Sequence, residues 1–219
     1  MIAENLLTDA MAPLRLDDKG SEALTIMNLF GVRHLPLVND DEFLGMVGED
    51  DILTNDMDHQ VATYELQTKA AFVRNYDHVY EVMRMMAEKN LTVIPVVTDE
   101  KKYLGMISQN DLLSYFANTS SFAEPGSIIV LEVGKRDYSL AEISRIVESE
   151  NTKVLSSFIT SRPDSQKIDV TLKLASQSIQ NVLATLERFD YVVTASFDES
   201  DYLDSLKERY DALMTFLNV

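Results

Sequence analysis

The sequence predicts an α+β protein in two parts, and three observations carry that expectation. A stretch of the first half recurs about 59 residues later, each copy joining a helical apolar spacing to two short apolar runs. After a break of small polar residues the periodicity changes, and strand and helix patterns follow in the order β-α-β-β-α-β. A final segment carries a single apolar seam.

The repeat is clearest at its strands. Val32-Arg33-His34-Leu35-Pro36-Leu37-Val38 returns as Leu91-Thr92-Val93-Ile94-Pro95-Val96-Val97. Downstream, Phe43-Leu44-Gly45-Met46-Val47-Gly48-Glu49-Asp50-Asp51 matches Tyr103-Leu104-Gly105-Met106-Ile107-Ser108-Gln109-Asn110-Asp111, with one residue inserted at the second tip. Upstream, Ala23, Ile26, Met27 and Phe30 share a helix face, as do Val79, Val82, Met83 and Met86. Each copy therefore reads helix, strand, turn, strand, helix. Asn39, Asp40 and Asp41, and again Asp99, Glu100 and Lys101, are turn formers between the strands. Pro36 and Pro95 lack the N–H that a ladder needs, which places them at an edge or a strand start. Ser108, three residues before Asp111, approaches a capping box with Asp in place of Glu or Gln, and Gly48 serves as the cap in the first copy. Neither copy can bury a face alone, so the two are expected to pack as a pair.

Asn118 to Gly126 marks the boundary. Beyond it, Ile128 to Val133 is an apolar strand, and Leu140, Ile143, Ile146 and Val147 take helical spacing. Val154 to Thr160 is a second strand, and Ile168, Val170, Leu172 and Leu174 alternate with polar residues as a half-buried strand does. Ile179, Val182, Leu183 and Leu186 return to helix, and Tyr191 to Phe197 closes a ferredoxin-like βαββαβ unit. From Asp201, Leu203, Leu206, Tyr210, Leu213 and Leu217 form the seam of a C-terminal helix. The expected segments are 1–58 and 59–117 for the two copies, 118–126 for a linker, 127–198 for the βαββαβ unit and 199–219 for the last helix.

Composition narrows the function. With 19 Lys+Arg against 36 Asp+Glu the formal charge of the 219 residues is -17, which repels nucleic acid and anionic membrane surfaces. No apolar run approaches the roughly 20 residues that span a bilayer, and Met1 to Asn5 lacks a basic segment followed by an apolar one, so the expected location is the cytoplasm. The absence of cysteine removes disulfides, thiolate metal sites and thiol nucleophiles. His34, His59 and His78 belong to no triad or metal spacing, and no phosphate-binding Gly-rich motif occurs, so an enzyme is the least supported class. Asp56, Asp58 and His59 read as a solvated linker, and Met27, Met83, Met85 and Met86 as core or packing residues.

The paired strand-Pro and Gly-φ-φ-Ser-x-x-Asp elements resemble a tandem CBS domain pair, a Bateman-type module, over residues 1 to about 117. The second half looks like an ACT domain over about 126 to 197, through its topology and Leu140-Ala141-Glu142-Ile143, and the order is similar to CBS-ACT proteins of the acetoin-utilisation B type. In CBS pairs that bind adenine nucleotides the motif Asp accepts from the ribose diol and the Ser meets a phosphate, as an acceptor-only carboxylate and a hydroxyl at a helix start are suited to do. The resemblance gives Asp51 and Asp111 the ribose position and Ser108 the phosphate position, while Gly48 supplies no hydroxyl. Arg33 and His34 stand where nucleotide-binding relatives carry phosphate contacts; the second copy has Thr92 and Val93 there. A single composite site follows, with Asp111 on ribose, Ser108 on phosphate and Arg33 supplying charge across the pair.

The overall charge favours AMP or ADP over ATP, and no cofactor is required. The same five residues also read as helix caps, a structural histidine and a solvated arginine, and both readings stand at this level. In the ACT-like half, Tyr138 within Gly134-Lys135-Arg136-Asp137-Tyr138-Ser139 replaces the glycine that admits a ligand in amino-acid-binding relatives, which implies an assembly role; Asn151 reads as a helix-ending residue. The expectation is a homodimeric regulatory sensor of an adenosyl ligand, with a ligand-free homodimeric interaction scaffold as its rival.

Overall fold

The structure, a computed structural model, describes residues 1–8, 10–66, 71–198 and 214. The expected C-terminal helix, with its seam from Leu203 to Leu217, lies outside the described residues. The chain divides into two units, Met1–Ala117 and Asn118–Val219.

In the first unit, α1 (Gly20–Phe30), β1 (His34–Asn39), β2 (Glu42–Gly48) and α2 (Glu49–Leu53) form the first copy. A short β3 (Val73–Arg74), α3 (Val79–Glu88), β4 (Val93–Val97), β5 (Tyr103–Ser108) and α4 (Gln109–Ala117) form the second. Ala23 and Met27 of α1, and Val79, Val82 and Met86 of α3, are buried; Met83 is 41% exposed and Phe30 36%, so the apolar stripe is narrower than the spacing suggests. Gly31 (φ 66) and Asn90 (φ 51) end the two helices in the left-handed region, and Asp40 (φ 51) and Lys101 (φ 62) turn the two hairpins.

Each hairpin is antiparallel, with Pro36 opposite Met46 and Pro95 opposite Met106. Contrary to the edge or strand-start expectation, Pro95 lies within the central strand of a three-stranded sheet ordered β3-β4-β5. The parallel partner β3 begins only at Val73 opposite Val96, one residue past the proline. In the first copy the Leu14 N–H donates to the Pro36 carbonyl at 2.8 Å and the Val38 N–H donates to the Leu14 carbonyl at 2.9 Å. Proline contributes an acceptor there, and the ladder asks it for no donor.

The repeated unit is longer than the sequence reading found. A 3-10 turn precedes each helix, at Ala3–Leu6 and at Val61–Thr63. Each packs on the other copy: Ala3 and Leu6 share a core with Val73, Val79, Val82, Met86 and Ile94, whereas Val61, Tyr64 and Leu66 share one with Leu14, Ala23, Met27, Leu35 and Leu37. Matching backbone bonds fix both, Ala3 N to Asp77 O at 2.8 Å and Val61 N to Asp18 O at 2.9 Å. Met46 crosses into the second copy's core and Met106 into the first's, both fully buried. At the hairpin tips, Phe43 N donates to Lys101 O and Tyr103 N to Asp41 O.

The second unit contains α5 (Ser120–Ala123), β6 (Ile128–Gly134), α6 (Leu140–Ser149), β7 (Val154–Ser161), β8 (Lys167–Leu174), α7 (Gln180–Arg188) and β9 (Val192–Phe197). The antiparallel sheet runs β7-β8-β6-β9. Ile143, Ile146 and Val147 of α6 and Val182 and Leu186 of α7 pack with Ile129, Leu131, Val133, Ile168, Val170, Leu172 and Leu174. Ser139 accepts the Glu142 N–H at 3.3 Å to cap α6, and Asn151 (φ 55) ends it. Strand β7 departs from a buried apolar run: Phe158 is 47% exposed and Ile159 50%.

The crossed packing gives a test. Leu6→Ala removes buried methyls from the second copy's core and is expected to cost about 2 to 4 kcal/mol in chemical denaturation. Amide exchange should accelerate in α3 and β4. Acceleration confined to α1 and β1 would contradict the assignment of this turn to the second core.

Candidate functional site

The hairpin places the residues before each first strand against the helix that follows the second. His34 pairs with Gly48, and Glu49 N donates to Arg33 O at 2.9 Å; in the second copy Val93 pairs with Ser108, and Gln109 N donates to Thr92 O at 3.1 Å. In the first copy this closure leaves a cleft of about 150 Å³ lined by Arg33, His34, Gly48, Glu49, Asp50, Asp51 and Asn90. The five expected residues thus fall into two groups. Arg33, His34 and Asp51 share the cleft, joined by Asn90 from the end of α3. Ser108 and Asp111 form the matching helix start of the second copy and are absent from that lining.

Both aspartates cap their helices. Asp51, 4% exposed, accepts the Gly48 N–H through Oδ2 at 2.9 Å. Asp111 Oδ2 accepts the Ser108 N–H and hydroxyl, each at 2.7 Å, and Ser108 Oγ accepts the Asp111 N–H at 3.1 Å, a reciprocal box with Asp at its third helical position. A Cβ on Gly48 would stand 3.6 Å from His34 Cδ2 and 3.4 Å from Asp51 Oδ2. The imidazole therefore lies beside the bare helix start, so that His34 and Gly48 of the first copy replace Val93 and Ser108 of the second as a spatially adjacent pair.

Thr92 ties the copies together at this cleft. Its Oγ1 accepts the Arg33 N–H at 2.8 Å and lies 3.2 Å from His34 Nδ1, which also accepts the Thr92 N–H at 3.3 Å. With Nδ1 accepting, the neutral ring carries its proton on Nε2. Burial lowers the His34 pKa below 6.5, and Arg33 adds to that; Asp51, Asp50 and Glu49 oppose it. The cleft thus offers a carboxylate, a neutral N–H donor and a guanidinium, with two further carboxylates, Glu49 and Asp50, at its rim.

Sequence reading missed Thr92 and Asn90. Thr92 counted only as the absence of a cation, although the repeat aligns it with Arg33. Among the linker residues, His59 lies 3.7 Å from Asp56 with both exposed, and no group of three or more His, Asp or Glu able to hold a metal occurs among the described residues.

The lowered His34 pKa has a signed consequence. Below pH 6.5 the unfolded chain takes up a proton that the folded ring resists, so stability falls as pH decreases until the folded pKa is reached. His34→Asn, which keeps an acceptor near the Nδ1 position, should flatten that portion of the melting temperature against pH profile. Superimposable slopes for the two proteins would remove His34 as the cause.

The family model described as CBS domain matches residues 3–58 and again 62–118. Among solved structures, a CBS domain pair/ACT domain protein from Thermotoga maritima is similar at 22% identity and a TM-score of 0.47, over 53% of this chain and 96% of that chain. A protein from Vibrio cholerae described as an acetoin utilization protein (AcuB) gives 19% and 0.47 over 54% and 91%. CBSX2, solved in complex with AMP, gives 17% and 0.45 over 52% and 95%. No helix among the described residues is long and apolar enough to cross a membrane. The two family matches fall on the two copies of the repeat and together span slightly more than half of the chain, which belongs to the CBS domain family and carries its CBS domains as a tandem pair.

Proposed function

We propose that this protein is a regulatory sensor that binds a small adenosyl ligand in its CBS pair, with the second unit, an ACT-like domain, organising assembly or passing on the signal. The observation that carries this reading is the convergence of Asp51, Arg33 and His34 at one helix start, with Asn90 and Thr92 of the second domain bordering it. A ligand there touches both CBS domains, so occupancy and their mutual arrangement are coupled.

Of the two aspartates to which the resemblance gives the ribose position, Asp51 takes the part that the composite-site expectation gave to Asp111. Only its Oδ2 is engaged in the cap, which leaves Oδ1 to accept from a ribose diol. Arg33 and the His34 Nε2–H are the donors for a phosphate. Glu49 and Asp50 act against each additional phosphate charge at close range, so AMP ranks before ADP and both before ATP. Asp111, like Asp51, uses only Oδ2 in its cap, but Thr92 and Val93, which stand where the first domain has Arg33 and His34, bring no cation to that helix start, which favours a structural role for Ser108 and Asp111.

In the second unit the β7-β8-β6-β9 order and the packing of Tyr138 against the core, where ligand-binding relatives keep a glycine, support an ACT-like domain used for assembly rather than amino-acid binding. Homodimer formation is supported by apolar side chains on the outer helix faces of the first unit, Leu29 at 76%, Leu53 at 60% and Leu113 at 69% exposed. The bare Gly48 and the use of both aspartates as caps favour the rival reading, a ligand-free scaffold.

Thermal melts with millimolar AMP, ADP, ATP and adenosine separate the two. AMP is expected to raise the melting temperature by linkage. Asp51→Ala should weaken AMP by the equivalent of roughly 1.5 to 3 kcal/mol. Asp111→Ala should lower baseline stability by about 1 kcal/mol through its lost cap and keep the AMP shift. No shift with any of the four compounds would leave the scaffold, and a shift abolished only by Asp111→Ala would move the site to the second helix start.

A further inference from the structure

One face of the sheet in the second unit is covered by α6 and α7; the other carries side chains in cross-strand rows. One row pairs Asp169 with Glu132, the next Phe158 with Thr171 and Val130, and a third Ser156 with Lys173 and Ile128. The first row is electrically complete. Arg162 holds Asp169 through contacts of 2.9 to 3.2 Å, and Lys167 is ion-paired with Glu132.

The third row is not complete. Lys173 Nζ donates to the Gly126 carbonyl at 2.7 Å, and among the described residues no carboxylate forms an ion pair with it. Gly126 (φ 156) lies so close to β8 that a Cβ would run into the Leu174 carbonyl oxygen, so the linker backbone is pressed against the strand end and fixes the ammonium at this spot. Over the second and third rows α5 places Phe122, its ring 6.2 Å from that of Phe158. The result is a cavity of about 380 Å³ lined by Phe122, Phe158, Ile128, Ser121, Ser156, Thr171 and Lys173. That volume falls in the range of small-molecule sites. In a chain with 36 Asp+Glu against 19 Lys+Arg, a lining with one ammonium and no carboxylate reverses the local charge.

We propose that this cavity binds an amphipathic monocarboxylate. Its apolar or aromatic body lies against Phe122, Phe158 and Ile128, and its carboxylate supplies the counter-charge that Lys173 lacks, flanked by the Ser156 and Thr171 hydroxyls. A free amino acid is disfavoured because its ammonium finds no carboxylate in the lining, and a phosphate because a single cation faces it. The site is independent of the cleft at Asp51, and either stands without the other.

Calorimetric titration of the full-length protein with 2-naphthoate tests it, with 2-naphthylmethanol as the uncharged control. Saturable binding of one naphthoate per chain is expected. Lys173→Met should weaken it roughly ten- to hundredfold, as loss of a charge-assisted bond does. Lys173→Arg should restore most of the affinity, Phe158→Ala should weaken it, and Lys167→Met, which removes a cation already paired, should leave it unchanged. Absence of saturable heat at millimolar naphthoate overturns the proposal, as does equal binding of the alcohol, or a loss with Lys167→Met that matches Lys173→Met.

Discussion

Neither CBS domain closes its own core. Met46 leaves the first hairpin to fill the second domain and Met106 does the reverse, while the two 3-10 turns cross in the same sense. Burial of each large apolar side chain is worth about 1.5 to 3 kcal/mol, so four such exchanges tie the pair more firmly than the hydrogen bonds between the hairpin tips. The cleft depends on this exchange, because Arg33 and His34 come from one domain and the Thr92 that orients them from the other.

What was legible in the sequence were the contiguous features. The strand with its proline, the Gly-φ-φ element and the strict alternation from Ile168 to Leu174 are runs whose period survives without knowledge of neighbours. The crossed turns are three or four residues long and show no period, so Ala3 and Leu6 carry no sign that their partners are Val79 and Val82. One further trace of the repeat lies in single residues rather than in a run: Arg15 and Asp18 recur as Arg74 and Asp77, and both pairs close the same turn, with Arg15 N donating to Asp18 Oδ2 at 2.7 Å and Arg74 N to Asp77 Oδ2 at 2.8 Å. Pro95 misled because a missing donor says nothing about where a parallel partner begins.

The capping geometry at Ser108 and Asp111 followed from spacing alone, since both ends of that interaction lie within one turn. The grouping of Arg33 with Asp51 did not. It depends on the hairpin returning the chain to its own starting point, a three-dimensional closure that a linear repeat leaves undetermined. The same closure sets Asp51 in the lining of the cleft while its Oδ2 holds the helix start, and on the proposed reading it has a second duty toward the ligand. Its low exposure follows from the first duty and would be read as purely structural without the second.

The left-handed residues that end the two long helices of the pair differ in one respect. Asn90 brings an amide to the edge of the cleft, whereas Gly31, at the equivalent place in the other domain, has no side chain and open space around it. Together with Thr92 and Val93 standing opposite Arg33 and His34, this concentrates cation, imidazole and amide at one of two places that duplication made alike. On the proposed reading the module has kept the symmetry of its skeleton and abandoned that of its chemistry: one helix start receives and the other only fastens, so a pair of such domains counts single molecules and cannot respond in two steps.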